Sequence, residues 1–512
     1  MSATAPPLRG TAPVLDAPGL AERVLAHAER RPDAPAVITT ARTWSYGGLA
    51  AHARALRPRL QDAGARPGDL VAVPATRTGA TVAAVLACLA EGLPVLLLSP
   101  QLPAELRSVV LEDAAARFRL EDDTVTPRAA GPGRCPAGTL VVLTTSGSSG
   151  PPKAVALAAD GVDRFAGWAS ADLGLDEGTA VLSLAPLSFD LSLLDVWTTL
   201  AVGGRVVMPS TEQSLRGRIV LDLLDEHDVH LVQGVPMFFD LMAAAARPSD
   251  PRGARVREVV VTGDVASDRT LDAVRALFPA ARLHNVYGAT ETNDSFRHVV
   301  THDRAPLPVG RPLPGVRAHV AGPDGTVAAD AVPDTGPTGP ATPATGELVV
   351  HTPFAALGYL DPDRTAERFL TRTDPDGAVR TYFRTGDVVR RDADGLYHLQ
   401  GRADRQVKIR GTAVNLTAVE DVLDGHPDVV ASAVLAVGDP AHVVAVVQAH
   451  GPVPPALLRE HCAPLLPRAA LPSRFHVLTD PLPRTTTGKV DRRAALRLTG
   501  AATTEGHHHD HH

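Results

Sequence analysis

A chain of 512 residues is too long for one ordinary domain and points to two or three. Hydrophobic residues at 44% supply large cores, and aromatics at only 4% mean that Val, Leu and Ala build them. A net charge of −7 gives no reason to expect nucleic-acid or anionic-membrane partners, and three scattered cysteines (Cys88, Cys135, Cys462) indicate neither a disulfide framework nor a zinc cluster.

The first residues, Met1-Ser-Ala-Thr-Ala-Pro-Pro, lack the basic-then-apolar layout of a signal peptide, and no run approaches the ~18 apolar residues of a membrane span. A soluble, cytoplasmic protein is therefore expected. Residues 1–15 read as a disordered lead, and the His-rich end at 501–512 as a disordered or purification tail. From Ala17 to Arg30 apolar residues recur at helical spacing, and Ala36-Val-Ile-Thr is a short strand. Leu49 to Asp62 is helical, Asp69-Leu-Val-Ala-Val strand-like, and Ala80 to Glu91 a buried helix leading into Pro94-Val-Leu-Leu-Leu. The alternation resumes with strands at Ala180, Arg205, Val229, Glu258 and Arg282. Helices lie between them at Ser192–Leu200, Arg218–His227, Met237–Ala246 and Ser267–Phe278, the last with Ser267 as N-cap. Such alternation predicts a large layered α/β domain of parallel βα units, whose ligands sit at the carboxyl ends of the strands. Gly322 to Gly346 reads as a surface loop, and Glu347-Leu-Val-Val and Leu396-Tyr-His-Leu as a smaller antiparallel part. Beyond Asp404 the pattern changes: a hairpin over Gln406–Asn415, a helix at Thr417–Leu423, two alternating runs, and a helix at Pro455–Leu465. The expected division is a core domain over 1–403 and a small mobile α+β domain over 404–500.

Between the apolar runs at Thr139 and Ala154 lies Thr144-Thr-Ser-Gly-Ser-Ser-Gly-Pro-Pro-Lys153. Its hydroxyls and backbone N–H groups suit a phosphate chain, with the lysine adding a point charge. It is not a Walker A loop, because Gly-Lys-Ser/Thr is missing. Of 50 Lys and Arg residues only Lys153, Lys408 and Lys489 are lysine, each in a glycine-containing loop. Lysine is a slim point charge where arginine is a wide fork, so these mark sites where the fork does not serve.

Six stretches in this order resemble the adenylate-forming superfamily, and within it the amino-acid adenylation domains of nonribosomal peptide synthesis. They are the 144–153 loop, Phe189-Asp-Leu-Ser192, Asn285-Val-Tyr-Gly-Ala-Thr-Glu291, Tyr382-Phe-Arg-Thr-Gly-Asp387, Gly401-Arg-Ala-Asp-Arg-Gln-Val-Lys-Ile-Arg-Gly411 and Thr487-Gly-Lys-Val-Asp491. The resemblance spans nearly the whole length and implies a stand-alone ligase. A carboxylate would attack the α-phosphate of ATP, and the phosphopantetheine thiol of a separate acyl or peptidyl carrier protein would then displace AMP. It further implies that Thr144, Thr145, Ser146, Gly147, Ser148, Ser149, Gly150 and Lys153 hold the phosphates and that Glu291 binds Mg²⁺. Tyr287 and Gly288 would receive adenine, Thr290 would touch phosphate, and Asp387 and Arg402 would grip the ribose. Thr145, Glu291 and Lys489 are the catalytic candidates, with Lys489 bridging the two anionic reactants. Asp404 matches the hinge, and Lys408, Arg410 and Gly411 the hairpin that serves thioester formation. After that hairpin the usual charged pattern reads Ala413-Val-Asn415-Leu-Thr417-Ala418, so an atypical carrier contact is expected.

Asp190 matches the residue that pairs with a substrate ammonium; its alternative role is a helix N-cap. The other implied pocket positions are Leu191, Leu194, Gln233, Val260, Thr262, Val286, Asp294 and Ser295. They outline a modest aliphatic volume for a small or medium amino acid, polar, diamino or β-amino. An acyl-CoA ligase for a non-amino acid and a d-alanine–carrier protein ligase are the rivals.

Overall fold

The computed structural model describes residues 19–129, 135–145, 153–247, 252–322, 327, 342–409, 412–438, 442–466, 468, 470–485 and 488–500, with residues 404, 406, 408, 412 and 413 described by their backbone alone. Two sheets carry the large N-terminal domain. In a nine-stranded sheet, Pro35–Ile38, Arg205–Val207, Ala180–Ser183, Leu231–Gly234, Glu258–Thr262 and Arg282–Ala289 lie side by side and parallel. Antiparallel strands close its two edges, Thr43–Ser45 on one side and Asn293–Val300 with Arg311–Pro312 on the other. Ala180–Ser183 and Glu258–Thr262 are buried at every position, as a strand covered on both faces must be.

The second sheet has seven strands, with Phe118–Glu121, Val71–Pro74, Val95–Leu98 and Thr139–Thr145 parallel at its centre. The helices Gly79–Ala90 and Tyr46–Asp62 share one apolar core with residues of both sheets, Val181 and Val206 from the first and Val71 and Val95 from the second. Each Val or Leu so enclosed contributes roughly 1.5–3 kcal/mol. A five-stranded antiparallel sheet (Arg317–Ala321, Ala344–His351, Val379–Arg391, Phe369–Thr373, Tyr397–Arg402) follows.

The smaller C-terminal domain comprises the hairpin Gln406–Ile409/Thr412–Asn415, the helix Leu416–Asp424 and a three-stranded sheet of Val429–Val437, His442–Ala449 and Arg474–Leu478. Its own core gathers Val419, Leu423, Val434, Ala445 and Leu458. Ser267 caps its helix, accepting from the Thr270 N–H.

Several expectations need correction. The Ser192–Leu200 segment opens as a π-helix, Leu193–Thr198, before a short α-turn, and the Thr198 and Thr199 hydroxyls donate to carbonyls five residues back. The strand anticipated at Val229 begins at Leu231, since Asp228 takes a positive φ just before it. The final long helix stops at Cys462. Most of the Gly322–Gly346 stretch, the lead and the His-rich tail lie outside the described residues.

Candidate active site

The polar clusters lie at the carboxyl ends of the parallel strands. Thr262 ends Glu258–Thr262, Tyr287 and Gly288 lie near the end of Arg282–Ala289, and Thr145 ends Thr139–Thr145. Just beyond Arg282–Ala289, Thr290 donates its hydroxyl to Asp190 Oδ2 at 2.5 Å, across 100 residues of sequence. That bond ties the Asp190 side chain to the end of Arg282–Ala289, a strand separated from Ala180–Ser183 by two others, rather than to the helix that follows it. Asp190 Oδ1 is buried and has no hydrogen-bond partner among the described residues. Burial pushes the Asp190 carboxyl up, while the Thr290 hydroxyl and the charge of Lys489 pull it back.

Around this carboxylate, Leu191, Leu194, Val260 and Val286 are buried and apolar. Thr262 is buried beside them in sequence register, paired with Val286 across the sheet. Gln233 is committed elsewhere: its amide donates to the Leu191 carbonyl at 2.9 Å and to Asp195 Oδ1 at 3.1 Å. Ser295 likewise donates to the carbonyls of Thr292 and Asn293, so its hydroxyl is engaged within its own strand. Asp294 stands opposite Gly288 across the antiparallel pair, and burial plus the charge of Asp190 push its carboxyl up to about 7. Sequence reasoning missed Asp195, fully buried on the π-helix, whose charge is opposed by buried Arg77. The bend signal that would reveal it, a helix of the wrong period, is not carried by composition.

The nucleotide side is built from a second set of long-range contacts. Tyr359 donates its phenol to Glu291 Oε1 at 2.5 Å, and Lys153 Nζ lies 5.8 Å from the centre of the Tyr359 ring. Tyr359 also escaped the sequence reading. It sits on Ala356–Tyr359, a strand that pairs antiparallel with Lys153–Ala158 and so carries its phenol toward Glu291. Tyr287 donates its hydroxyl to Asp387 Oδ2, and Arg402 Nη1 donates to Asp387 Oδ1 at 3.1 Å. The Tyr287 ring meets Phe296 edge-on at 5.8 Å. A ribose at Asp387 would therefore exchange with the phenol or the guanidinium already there. Lys153 has its ammonium pulled down by burial first, and then by Arg368, Arg364 and Arg402, against the opposing charge of Glu291. These cations converge on one face. Arg368 is a further residue that no sequence motif singled out.

Thr144 and Thr145 are described, paired with Ala154 and Lys153, whereas Ser146, Gly147, Ser148, Ser149 and Gly150 lie outside the described residues. Arg410 and Gly411 do too, and only the backbones of Lys408 and Asp404 are described. Lys489 is exposed on a tight turn closed by hydrogen bonds from Thr485 N to Lys489 O at 2.7 Å and from Gly488 N to Thr485 O at 2.9 Å. The turn rests on the large domain: a Cβ added at Gly488 would stand 3.1 Å from Met237 Cε and 3.3 Å from Val235 Cγ2. The structure thus gathers Asp190, Thr290, Glu291, Lys153 and the Lys489 turn at one place, with Asp387, Tyr287 and Arg402 beside them.

The chain resembles known proteins along most of its length. The AMP-binding enzyme family matches residues 24–133 and 128–360, and the AMP-binding enzyme C-terminal domain matches 418–489. Phenyloxazoline synthase MbtB of Mycolicibacterium paratuberculosis is 31% identical over 95% of this chain and 43% of its own length. Novobiocin biosynthesis protein H of Streptomyces niveus is 33% identical over 90% of this chain and 80% of its own. This chain spans less than half the length of the first curated relatives, 43% and 42%. Among solved structures, Klebsiella oxytoca NpsA in complex with 3-hydroxyanthranilyl-AMSN superposes with a TM-score of 0.76 at 26% identity, covering 94% of this chain and 99% of that one. Holo-AB3403, a four-domain nonribosomal peptide synthetase bound to AMP and glycine, superposes at 0.78 and 26% identity, covering 95% of this chain and 37% of that one. With both parts of the family matched in order along one chain, the protein belongs to the AMP-binding enzymes, the adenylate-forming superfamily.

Proposed function

We propose that the protein activates an amino acid with ATP, forming an aminoacyl-adenylate and pyrophosphate, and passes the aminoacyl group to the phosphopantetheine thiol of a carrier protein. The observation that carries the amino-acid reading is Asp190. Its Oδ2 is held by Thr290, while its buried Oδ1 has no partner among the described residues. A buried carboxylate with an unpaired oxygen is costly unless a cation completes it, and a substrate ammonium does so. The relatives' names, among them a nonribosomal peptide synthetase bound to AMP and glycine, support the same reading.

In this mechanism the ammonium anchored on Asp190 turns the substrate carboxylate toward the α-phosphate. Lys489, brought in by its turn against Val235 and Met237, screens the repulsion between the two anions. Lys153, Thr144 and Thr145 hold the departing pyrophosphate, with the backbone of the Ser146–Gly150 loop. Asp387, Tyr287, Gly288 and Arg402 seat the nucleoside. Glu291 fits a magnesium ion: it is a buried hard-oxygen ligand oriented through Tyr359, and magnesium asks the protein for only one or two carboxylates. Among the described residues no group of three or more His, Cys, Asp or Glu could hold a metal, so phosphate oxygens and water would complete the shell. Bound there, the ion would offset phosphate charge. We place the division of the chain in the Ala403–Arg405 turn, with Asp404 as the pivot that exchanges the Lys489 turn for the Lys408, Arg410 and Gly411 hairpin in the second half-reaction.

Amino-acid-dependent exchange of pyrophosphate into ATP tests the first half-reaction. Replacing Lys489→Ala is expected to lower it by roughly 10²-fold or more, in line with loss of a preorganised transition-state cation. Replacing Asp190→Ala is expected to remove the dependence on the amino group. Undiminished exchange in either variant overturns the assignment of that residue, and activation of simple carboxylic acids in preference to amino acids overturns the reading as a whole.

A further inference from the structure

The side chain of Gln233 uses its amide nitrogen on the protein itself. It donates to the Leu191 carbonyl at 2.9 Å and to Asp195 Oδ1 at 3.1 Å. Both neighbours are acceptors, so the amide nitrogen rather than the amide oxygen must face them. Gln233 and Asp195 are both buried, and water does not compete for either bond. Oδ1 accepts whether the acid is ionised or carries its proton on Oδ2, which is buried and has no hydrogen-bond partner among the described residues.

The Leu191 carbonyl is where this pair meets the substrate anchor, because Leu191 directly follows Asp190. Three N–H donors converge on that carbonyl: Leu194 N and Asp195 N, each at 3.2 Å, and Gln233 Nε2. The first two belong to the turn itself, as does the bond from Leu193 N to the Asp190 carbonyl at 2.9 Å. The third comes from the sheet. Gln233 lies on Leu231–Gly234, paired with Ser183 on one side and Val260 on the other, so its backbone cannot shift without breaking two ladders. Its amide ties the turn of Asp190 and Leu191 to that strand, and Thr290 ties the Asp190 carboxylate. A glutamine side chain on its own samples several rotamers; the second bond, to Asp195, removes that freedom. We propose that Asp195 and Gln233 are positioning residues for the substrate ammonium: Asp195 orients the Gln233 amide, the amide fixes the Leu191 carbonyl, and the turn so held keeps Asp190 Oδ1 aimed at the amine. This inference rests on the amino-acid-activation reading and deepens it. It makes position 233 a support common to every amino acid the enzyme takes, rather than a contact with any one side chain.

The test is pyrophosphate exchange with the KM for the amino acid and the KM for ATP measured separately. The probes are the proteinogenic amino acids and β-alanine, and those that the wild type exchanges are carried into the variants. Gln233→Met keeps the length of the side chain and removes both donors. It is expected to raise the KM for every such amino acid by about tenfold or more, with the order of preference kept and the KM for ATP within about twofold of the wild type. Asp195→Ala is expected to do the same, and Asp195→Asn, whose Oδ1 still accepts, to recover most of the loss. Both residues act through one amide, so combining Gln233→Met with Asp195→Ala is expected to cost no more than Gln233→Met alone. A changed order of preference overturns the inference, since Gln233 would then touch the substrate side chain. An equal rise in both KM values overturns it too, marking a general loss of structure. So do losses that add in the double variant, or an Asp195→Asn no better than Asp195→Ala. Asp195→Ala also removes a charge that buried Arg77 feels, which puts its folding at risk. Gln233→Met and the shorter Gln233→Asn leave that charge in place, and wild-type kinetics in both of them overturns the inference without any variant at 195. A wild type that exchanges no amino acid at all sinks the parent reading instead.

Discussion

Arg368 sits among charges of its own sign. A Cβ added at Gly386 would lie 3.0 Å from Arg402 Nη2 and 3.3 Å from Arg368 Nη2, so the two guanidinium groups flank the same glycine, next to Asp387. Lys153 feels both. Arg402 has Asp387 as its acid, whereas no carboxylate pairs with Arg368 among the described residues. Like charges assembled without a counter-ion repel, and a fold keeps them together where an anion arrives to repay the repulsion. Polyphosphate is the anion this site is expected to receive. Removing Arg368 should then have opposite effects on fold and function. Arg368→Ala is expected to raise the KM for ATP about tenfold, equivalent to ~1.4 kcal/mol, while leaving the melting temperature level or slightly higher. A structural role predicts the reverse, a lower melting temperature with the KM for ATP intact. Arg368→Lys should recover much of the ATP affinity if charge rather than the fork matters.

At the scale of elements, the strand Arg317–Ala321 stores a titration that the nucleotide site does not use. His319 is 3% exposed, its ring 5.2 Å from that of Tyr382, and its Nε2 has no hydrogen-bond partner among the described residues. Burial, and then the Arg372 guanidinium, push its pKa from 6.5 to about 4. The folded pKa lies below the unfolded one, so between those values the unfolded chain binds the extra proton. Stability from this group is fully present above pH 6.5 and drains away as pH falls toward 4, by up to about 3 kcal/mol. Replacing His319→Phe keeps the ring against Tyr382 and removes the proton site. The melting temperature of the wild type should fall between pH 7 and pH 5 by more than that of the variant, and parallel curves would refute the assignment. This strand and its sheet also mark the limit of what sequence pattern conveys. The parallel strands and the helices between them were legible because each is a continuous apolar run or an apolar stripe longer than two turns, as in Val95–Leu98 and Gly79–Ala90. Ala356–Tyr359 and Pro362–Arg368 were not: one is four residues with Gly358 at φ +131, the other a seven-residue helix with no buried face. Those two elements bring in Tyr359 and Arg368. Asp190, Thr290, Tyr287, Glu291 and Asp387 were readable from their motifs, whereas Tyr359, and the pairings Thr290–Asp190, Tyr359–Glu291 and Tyr287–Asp387, became visible only when segments 68 to 100 residues apart met. Long-range pairing leaves no local trace.

Over the whole molecule, one contact carries the small domain's lysine to the large domain's carboxylates. The Lys489 turn depends on Gly488, whose φ of +84 suits glycine and whose missing side chain lets the turn rest on Val235 and Met237. A second touch, Arg269 to His450 at 2.8 Å, is exposed and adds little. The seat beneath the turn is a narrow apolar one, and a methyl group at position 488 should disturb it in two separable ways. Left-handed backbone costs an alanine about 1 kcal/mol, which loosens the turn itself. The added carbon, 3.1 Å from Met237 Cε, also pushes the turn off its seat. On the proposed mechanism adenylation uses the seat, whereas the small domain's own core at Val419, Leu423 and Val434 does not include it. Gly488→Ala is accordingly expected to slow pyrophosphate exchange about tenfold, ~1.4 kcal/mol of transition-state stabilisation, with thermal unfolding nearly unchanged. Adding Met237→Ala opens room beneath the new methyl without touching the backbone strain, so the double variant should recover part of the rate. If Met237→Ala recovers nothing, strain within the turn explains the whole loss and seating against the large domain does not. If Gly488→Ala exchanges at the wild-type rate, the turn reaches the adenylate without this seat, and the route by which Lys489 enters the site must be sought elsewhere.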